Sequence, residues 1–161
     1  MSNKATMQNL KMMRKLEKML KDYKQLSESS VEVGIINGDR TYKDGQKIID
    51  IATFHEYGKG VPKRSFINLT FDKAEENGKA AALSALVYDQ VLFQNKNVTA
   101  MLNKAGTVLV SWVKETIDTH GHGEWERLDP KTESRKKRKN APLVDTMELY
   151  NSIDYKIIGG K

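Results

Sequence analysis

Cysteine is absent from the 161 residues of this chain. Its absence excludes disulfides, thiolate catalysis and cysteine-based zinc sites. Aromatic residues are scarce, at 7%, and apolar residues make up 39%. That supply allows a modest core, so much of the chain must lie at the surface or in helices with wide polar faces. No apolar run approaches the roughly 20 residues that a membrane span requires. The basic N-terminus is not followed by an uninterrupted apolar stretch, so it does not read as a signal peptide. The expectation is a soluble protein without membrane contact, made in the cytoplasm, built as one domain or one domain with arms.

Several chemical signatures are missing as well. Gly34 and Gly38 fit neither the G-x-G-x-x-G nor the G-x-x-x-x-G-K phosphate-binding spacing. No serine sits in a G-x-S-x-G setting to partner the three histidines. His55-Glu56 opens a zinc-protease pattern, but that pattern needs a second histidine where this chain has Lys59. His120 and His122 flank a glycine, with Glu124 and Glu126 nearby but no clear third ligand. No metal, no cofactor and no catalytic set is predicted, and the chain does not read as an enzyme.

What is present is charge and helical periodicity. The formal net charge is +6, which suits nucleic acid, an anionic surface or an acidic protein. Residues 7–26 repeat apolar side chains at three- and four-residue steps (Met7, Leu10, Met13, Leu16, Leu20, Tyr23), with lysines on the other face. The plain expectation is a helix packed on the domain. The functional one is an arm, residues 1–30, that packs on a neighbouring subunit through a methionine-rich surface. The rest, residues 31–161, is predicted to form a single α+β domain.

Val31 to Ile36 alternates as a strand and is followed by the Asn37-Gly38-Asp39 turn. A helix is expected at about Ile48–Tyr57. Residues 66–93 are helical in pattern, with an interruption at Asn77-Gly78. Val98 to about Thr119 forms a further helix. Residues 120–142 change character, with a flexible His120-Gly121-His122-Gly123 segment and an unbroken basic run, Arg135-Lys136-Lys137-Arg138-Lys139. A basic loop of this length is either disordered or functional, in contact with nucleic-acid phosphates or docked on an acidic protein partner. Asp145 or Thr146 is the expected N-cap of a short helix. Ile153 to Ile158 alternates as a last strand, able to pair antiparallel with the first in a small sheet packed with several helices.

The segment Asp50–Asp72 stands out: a helix, a break at Gly58-Lys59-Gly60, a basic turn and a new helix. Glu56 is placed to accept amides around Gly58–Gly60 or to pair with Arg64. Pro62-Lys63-Arg64 is expected to project a basic edge, with Phe66 and Phe71 anchoring the return to the core.

Two blocks carry a family resemblance. Ile51-Ala52-Thr53-Phe54-His55-Glu56-Tyr57-Gly58, followed by Val61-Pro62-Lys63-Arg64-Ser65-Phe66-Ile67 and Thr70-Phe71-Asp72, resembles the A-x-x-x-E-[FY]-G…[IV]-P-x-R-P-F-[LI]…F-D pattern of tailed-phage neck and tail-completion proteins. Pro142-Leu143-Val144-Asp145-Thr146, with Leu149 and Asn151-Ser152-Ile153, resembles the P-L-V-D-T-G-x-L-x-x-S-I of the same proteins. The resemblance spans roughly Val31 to Ile158. Ser65 replaces the usual proline, freeing the backbone before Phe66, and Met147 replaces the usual glycine. The second departure suggests a turn that needs no positive φ, or a shifted helix start.

The resemblance implies a virion component of the tail or neck. Such proteins form a closed ring, commonly a hexamer, that caps the tail tube and joins it to the head connector. The residues it points to for subunit or partner contact are Glu56, Tyr57, Gly58, Pro62, Lys63, Arg64, Phe66, Leu143, Asp145 and Thr146. DNA passes through the lumen of such a ring, where the basic run would meet phosphates without reading bases. The alternative is a basic accessory protein that contacts DNA phosphates non-specifically.

Overall fold

Apolar residues at helical spacing dominate the chain, and the structure, a computed structural model, is correspondingly rich in helix. It describes residues 2–136, 141–145 and 147–160, with side chains from Thr6 onward. The order is α1 (Ser2–Ser27), β1 (Ser29–Ile35), α2 (Ile48–Tyr57), α3 (Asn68–Glu76), α4 (Lys79–Leu92), α5 (Val98–Asp118), α6 (Pro130–Arg135), α7 (Glu148–Ser152) and β2 (Ile153–Gly159). This is a small α+β fold.

The two strands pair antiparallel along their whole length, from Ser29 opposite Gly159 to Ile35 opposite Ile153. They are the only strands among the described residues, and they tie the two ends of the domain together. Helix α5 lies across this ribbon. Gly106 allows a close approach: a Cβ there would collide with the Tyr155 ring. The Tyr155 hydroxyl donates to Asn103 Oδ1 at 2.9 Å, which pins β2 to α5.

The core falls into two apolar clusters, and α5 supplies both. Val113 and Ile117 join Ile48, Phe66, Leu149 and Ile153 in one. Val98, Met101, Leu102 and Ala105 join Leu26, Val87 and Val91 in the other. The Asn97 side chain caps α5, accepting the Ala100 amide at 2.9 Å.

Four expectations need correction. Helix α1 starts at Ser2 and does not pack along its length. Met7, Leu10, Met13, Leu16, Leu20 and Tyr23 are each at least 50% exposed, and Leu26 alone is buried. A 26-residue helix runs about 39 Å, and its apolar stripe from Met7 to Leu20 lies exposed. The domain holds its C-terminal end, where the Tyr23 and Tyr88 rings meet at a tilt of 48° with centroids 6.1 Å apart and Gln25 donates to the Gly160 carbonyl at 2.8 Å.

The segment expected to be a basic loop contains α6, whose N-cap Asp129 accepts the amides of Lys131 and Thr132. The His120–Gly123 stretch is a hydrogen-bonded turn, with the Gly121 amide on Thr116 O at 2.7 Å and Trp125 on His120 O at 3.1 Å. Finally, α7 is capped at Met147, not at Asp145 or Thr146. Met147 adopts φ 66°, so the turn does require the left-handed conformation that glycine accepts most readily.

Candidate functional site

The centre of the site is the return from α2 to α3. Gly58 ends α2 in the left-handed region, φ 71°, and a Cβ there would press on the Lys63 side chain. The chain then loops out and closes again when the Arg64 amide donates to His55 O at 2.8 Å.

Helix α3 has no side-chain cap of its own, and Glu56 from α2 takes that role. Its Oε2 accepts the amides of Phe66 at 2.8 Å and Ile67 at 3.0 Å. Its Oε1 accepts the Asn68 amide at 2.9 Å and the Ser65 hydroxyl at 2.6 Å. A carboxylate at a helix N-terminus answers both the orphan amides and the helix dipole. Glu56 therefore holds the amides of 66–68, not those of 58–60, and it forms no bond with Arg64. Ser65, where the resembling family has proline, contributes one of these bonds.

The first block packs against the second around Phe66, which is fully buried beside Leu149 and Val144. Next to this contact lies a cavity of about 200 Å³. From the first block it takes Ile51, His55 and Arg64. From the second it takes Leu143, Asp145, Met147, Glu148 and Leu149. Tyr42, Leu128, Thr132 and Lys136 complete the wall.

Electrostatics in this wall are unusual. Arg64 is 5% exposed; burial lowers its pKa, partly offset by Glu126. His55 is pushed down to about 4 by burial and by Arg64, against the opposing effect of a hydrogen bond to the Pro62 backbone. Burial also lowers the pKa of Lys136, opposed by Asp145, and its ammonium donates to Ala141 O at 2.7 Å. Tyr42 is pushed up to about 12 by burial, then by Glu148, Asp44 and Asp145.

The residues singled out from the sequence divide by where the fold puts them. Glu56, Phe66, Arg64, Gly58 and Leu143 are built into the junction of the two blocks. Arg64 thus faces inward and does not form a projecting edge. Tyr57, Pro62, Lys63, Asp145 and Arg135 are exposed, with the Lys59 ammonium 5.9 Å over the Tyr57 ring. Lys136 leaves the basic run and folds inward. Thr146, Lys137, Arg138 and Lys139 lie outside the described residues.

The sequence did not mark Tyr42, His55, Leu128 or Glu148 as members of the site. They come from separate segments, so no local spacing could have signalled their meeting. Among the described residues no three metal-ligating side chains gather, and no helix is long and apolar enough to cross a membrane. Compared with known proteins, the chain matches no family model, no curated protein and no solved structure.

Proposed function

We propose that this chain is a structural ring protein of a phage neck or tail end. The observation that carries the reading is the meeting of the two blocks. Each alone is a short pattern, and they lie far apart in sequence. In the fold they pack on each other through Phe66, Val144 and Leu149. A resemblance that rests on both therefore concerns one structural unit.

The ring is a head-to-tail assembly of identical subunits that closes on itself. Helix α1 suits such a contact, because its apolar stripe has no intramolecular partner over most of its length. In this reading the arm reaches the neighbouring copy, one face of the ring meets the tail tube protein, and the other meets the head connector. Tyr57, Pro62 and Lys63 form exposed points on the loop side of the junction. DNA passes through the lumen and is contacted without base reading.

Native mass spectrometry of the chain, alone and mixed with tails, tests the proposal together with imaging of the intact neck. The expected result is a closed ring, commonly of six copies, at the head-proximal end of the tail. A chain that stays monomeric under both conditions and is absent from tails overturns it.

A further inference from the structure

Three polar side-chain atoms are buried without a hydrogen-bond partner among the described residues: His55 Nδ1, Arg64 Nε and Glu148 Oε2. All three side chains line the same cavity of about 200 Å³. Such atoms are costly to bury, and one that belongs to a charged guanidinium most of all. Arg64 donates no side-chain hydrogen bond to a described residue, and the acid that acts on it, Glu126, is exposed and does not form an ion pair with it.

The remaining charged groups are arranged around it. Lys136 is engaged by the Ala141 carbonyl and lies near Asp145. Tyr42 lies near Glu148. His55 Nδ1 has no hydrogen-bond partner among the described residues, and in the neutral ring protonated at Nε2 it is an acceptor. The cavity therefore offers a cationic donor at Arg64 and two acceptors, His55 Nδ1 and Glu148 Oε2. Its apolar wall is formed by Ile51, Leu128, Leu143 and Leu149.

We propose that this cavity binds the α-carboxylate of an apolar amino-acid residue, either free or at the end of a polypeptide. The carboxylate sits on the Arg64 guanidinium, whose planar fork matches it with two parallel hydrogen bonds. The N–H of the same residue turns toward His55 Nδ1 or Glu148 Oε2, and its side chain lies on the apolar wall. Size supports one residue: a ligand pocket for a drug-sized molecule starts near roughly 300 Å³. Nothing in this inference depends on the ring reading.

Calorimetry on the full chain tests it with three probes: leucine, a tetrapeptide Ala-Ala-Ala-Leu with a free C-terminus, and the same tetrapeptide amidated. At least one acid is expected to bind tenfold or more tighter than the amidated peptide. Tighter leucine binding identifies a free amino acid as the ligand, and tighter binding of the acid peptide identifies a chain end. Arg64→Met abolishes the preference for the acid, Arg64→Lys weakens it at least tenfold, and Glu148→Gln weakens the tighter acid. Equal binding of acid and amide, no binding of any probe at millimolar concentration, or an Arg64→Lys variant that binds like the wild type overturns the proposal. Should Arg64→Met fail to fold, the acid–amide comparison and Arg64→Lys still decide the matter.

Discussion

Glu56 holds the Phe66 amide at 2.8 Å across ten residues of chain, so the last turn of one helix caps the first turn of the next. The carboxylate also serves Ile67, Asn68 and Ser65. Removing it strands amides that the fold keeps from water. Glu56→Ala is expected to cost about 3–5 kcal/mol, the range for breaking a buried charged hydrogen-bond network. Glu56→Gln, which keeps an acceptor oxygen, should lose less. Urea unfolding measures both, and a loss below about 1 kcal/mol for the alanine variant would remove the cap from this account.

Met147 gives a second prediction. At φ 66° an L-residue is strained by about 1–2 kcal/mol, and glycine is not. Met147→Gly and Met147→Ala both delete the side chain, so their difference isolates the backbone. Glycine is expected to be the more stable by about 1 kcal/mol, opposite to the usual order within a helix. The two melting curves decide the sign.

Gly106 and Tyr155 make a third. Gly→Ala inside a helix ordinarily adds about 0.5–1 kcal/mol. Here the new methyl group would occupy the space of the Tyr155 ring, and overpacking of this kind costs about 1–3 kcal/mol. Gly106→Ala is therefore destabilising in the wild type and stabilising in a Tyr155→Ala background. A double-mutant cycle reads that reversal directly, and additive effects would contradict the packing described.

His55 sets a pH dependence. Its folded pKa of about 4 lies below its ordinary 6.5. Between those values the unfolded chain takes up a proton that the folded chain refuses. Stability from this group is thus complete above about pH 6.5 and is lost as pH falls toward 4. The full shift corresponds to about 3 kcal/mol, reduced to roughly 1–2 kcal/mol by solvent screening of a half-buried ring. His55→Gln keeps a polar side chain and does not titrate. The stability gap between wild type and His55→Gln should shift against the wild type by that amount between pH 7 and 4.5, as followed by denaturant midpoints.

Much of the local structure was legible in the sequence. The expected and observed bounds of α2, Ile48–Tyr57, agree, because Gly58 ends a short apolar repeat with an unambiguous stop. The interruption of residues 66–93 at Asn77-Gly78 was also legible, though one kinked helix fitted it as well as the two helices observed, and so was the pairing of first strand with last. The partners of Glu56 were not. Both candidate sets, the amides of 58–60 and Arg64, were nearer in sequence than the amides of 66–68. Helix α6 was hidden by its shortness, since six residues without an apolar side chain, PKTESR, set no helical periodicity. The left-handed turn at Met147 was hidden because the residue type argues against it.

The sequence by itself determined the α+β class, the positions of the long helices and the antiparallel ribbon, because these follow from periodicity and turn chemistry within short windows. It also carried the two blocks on which the resemblance rests. Tertiary structure alone decided that those blocks meet and that Arg64 turns inward to line a cavity with His55 and Glu148. It also decided that the apolar face of α1 stays exposed over most of its described length. Each of these depends on which distant surfaces come into contact and where burial strips water from a charged group, and no local pattern of residues encodes either.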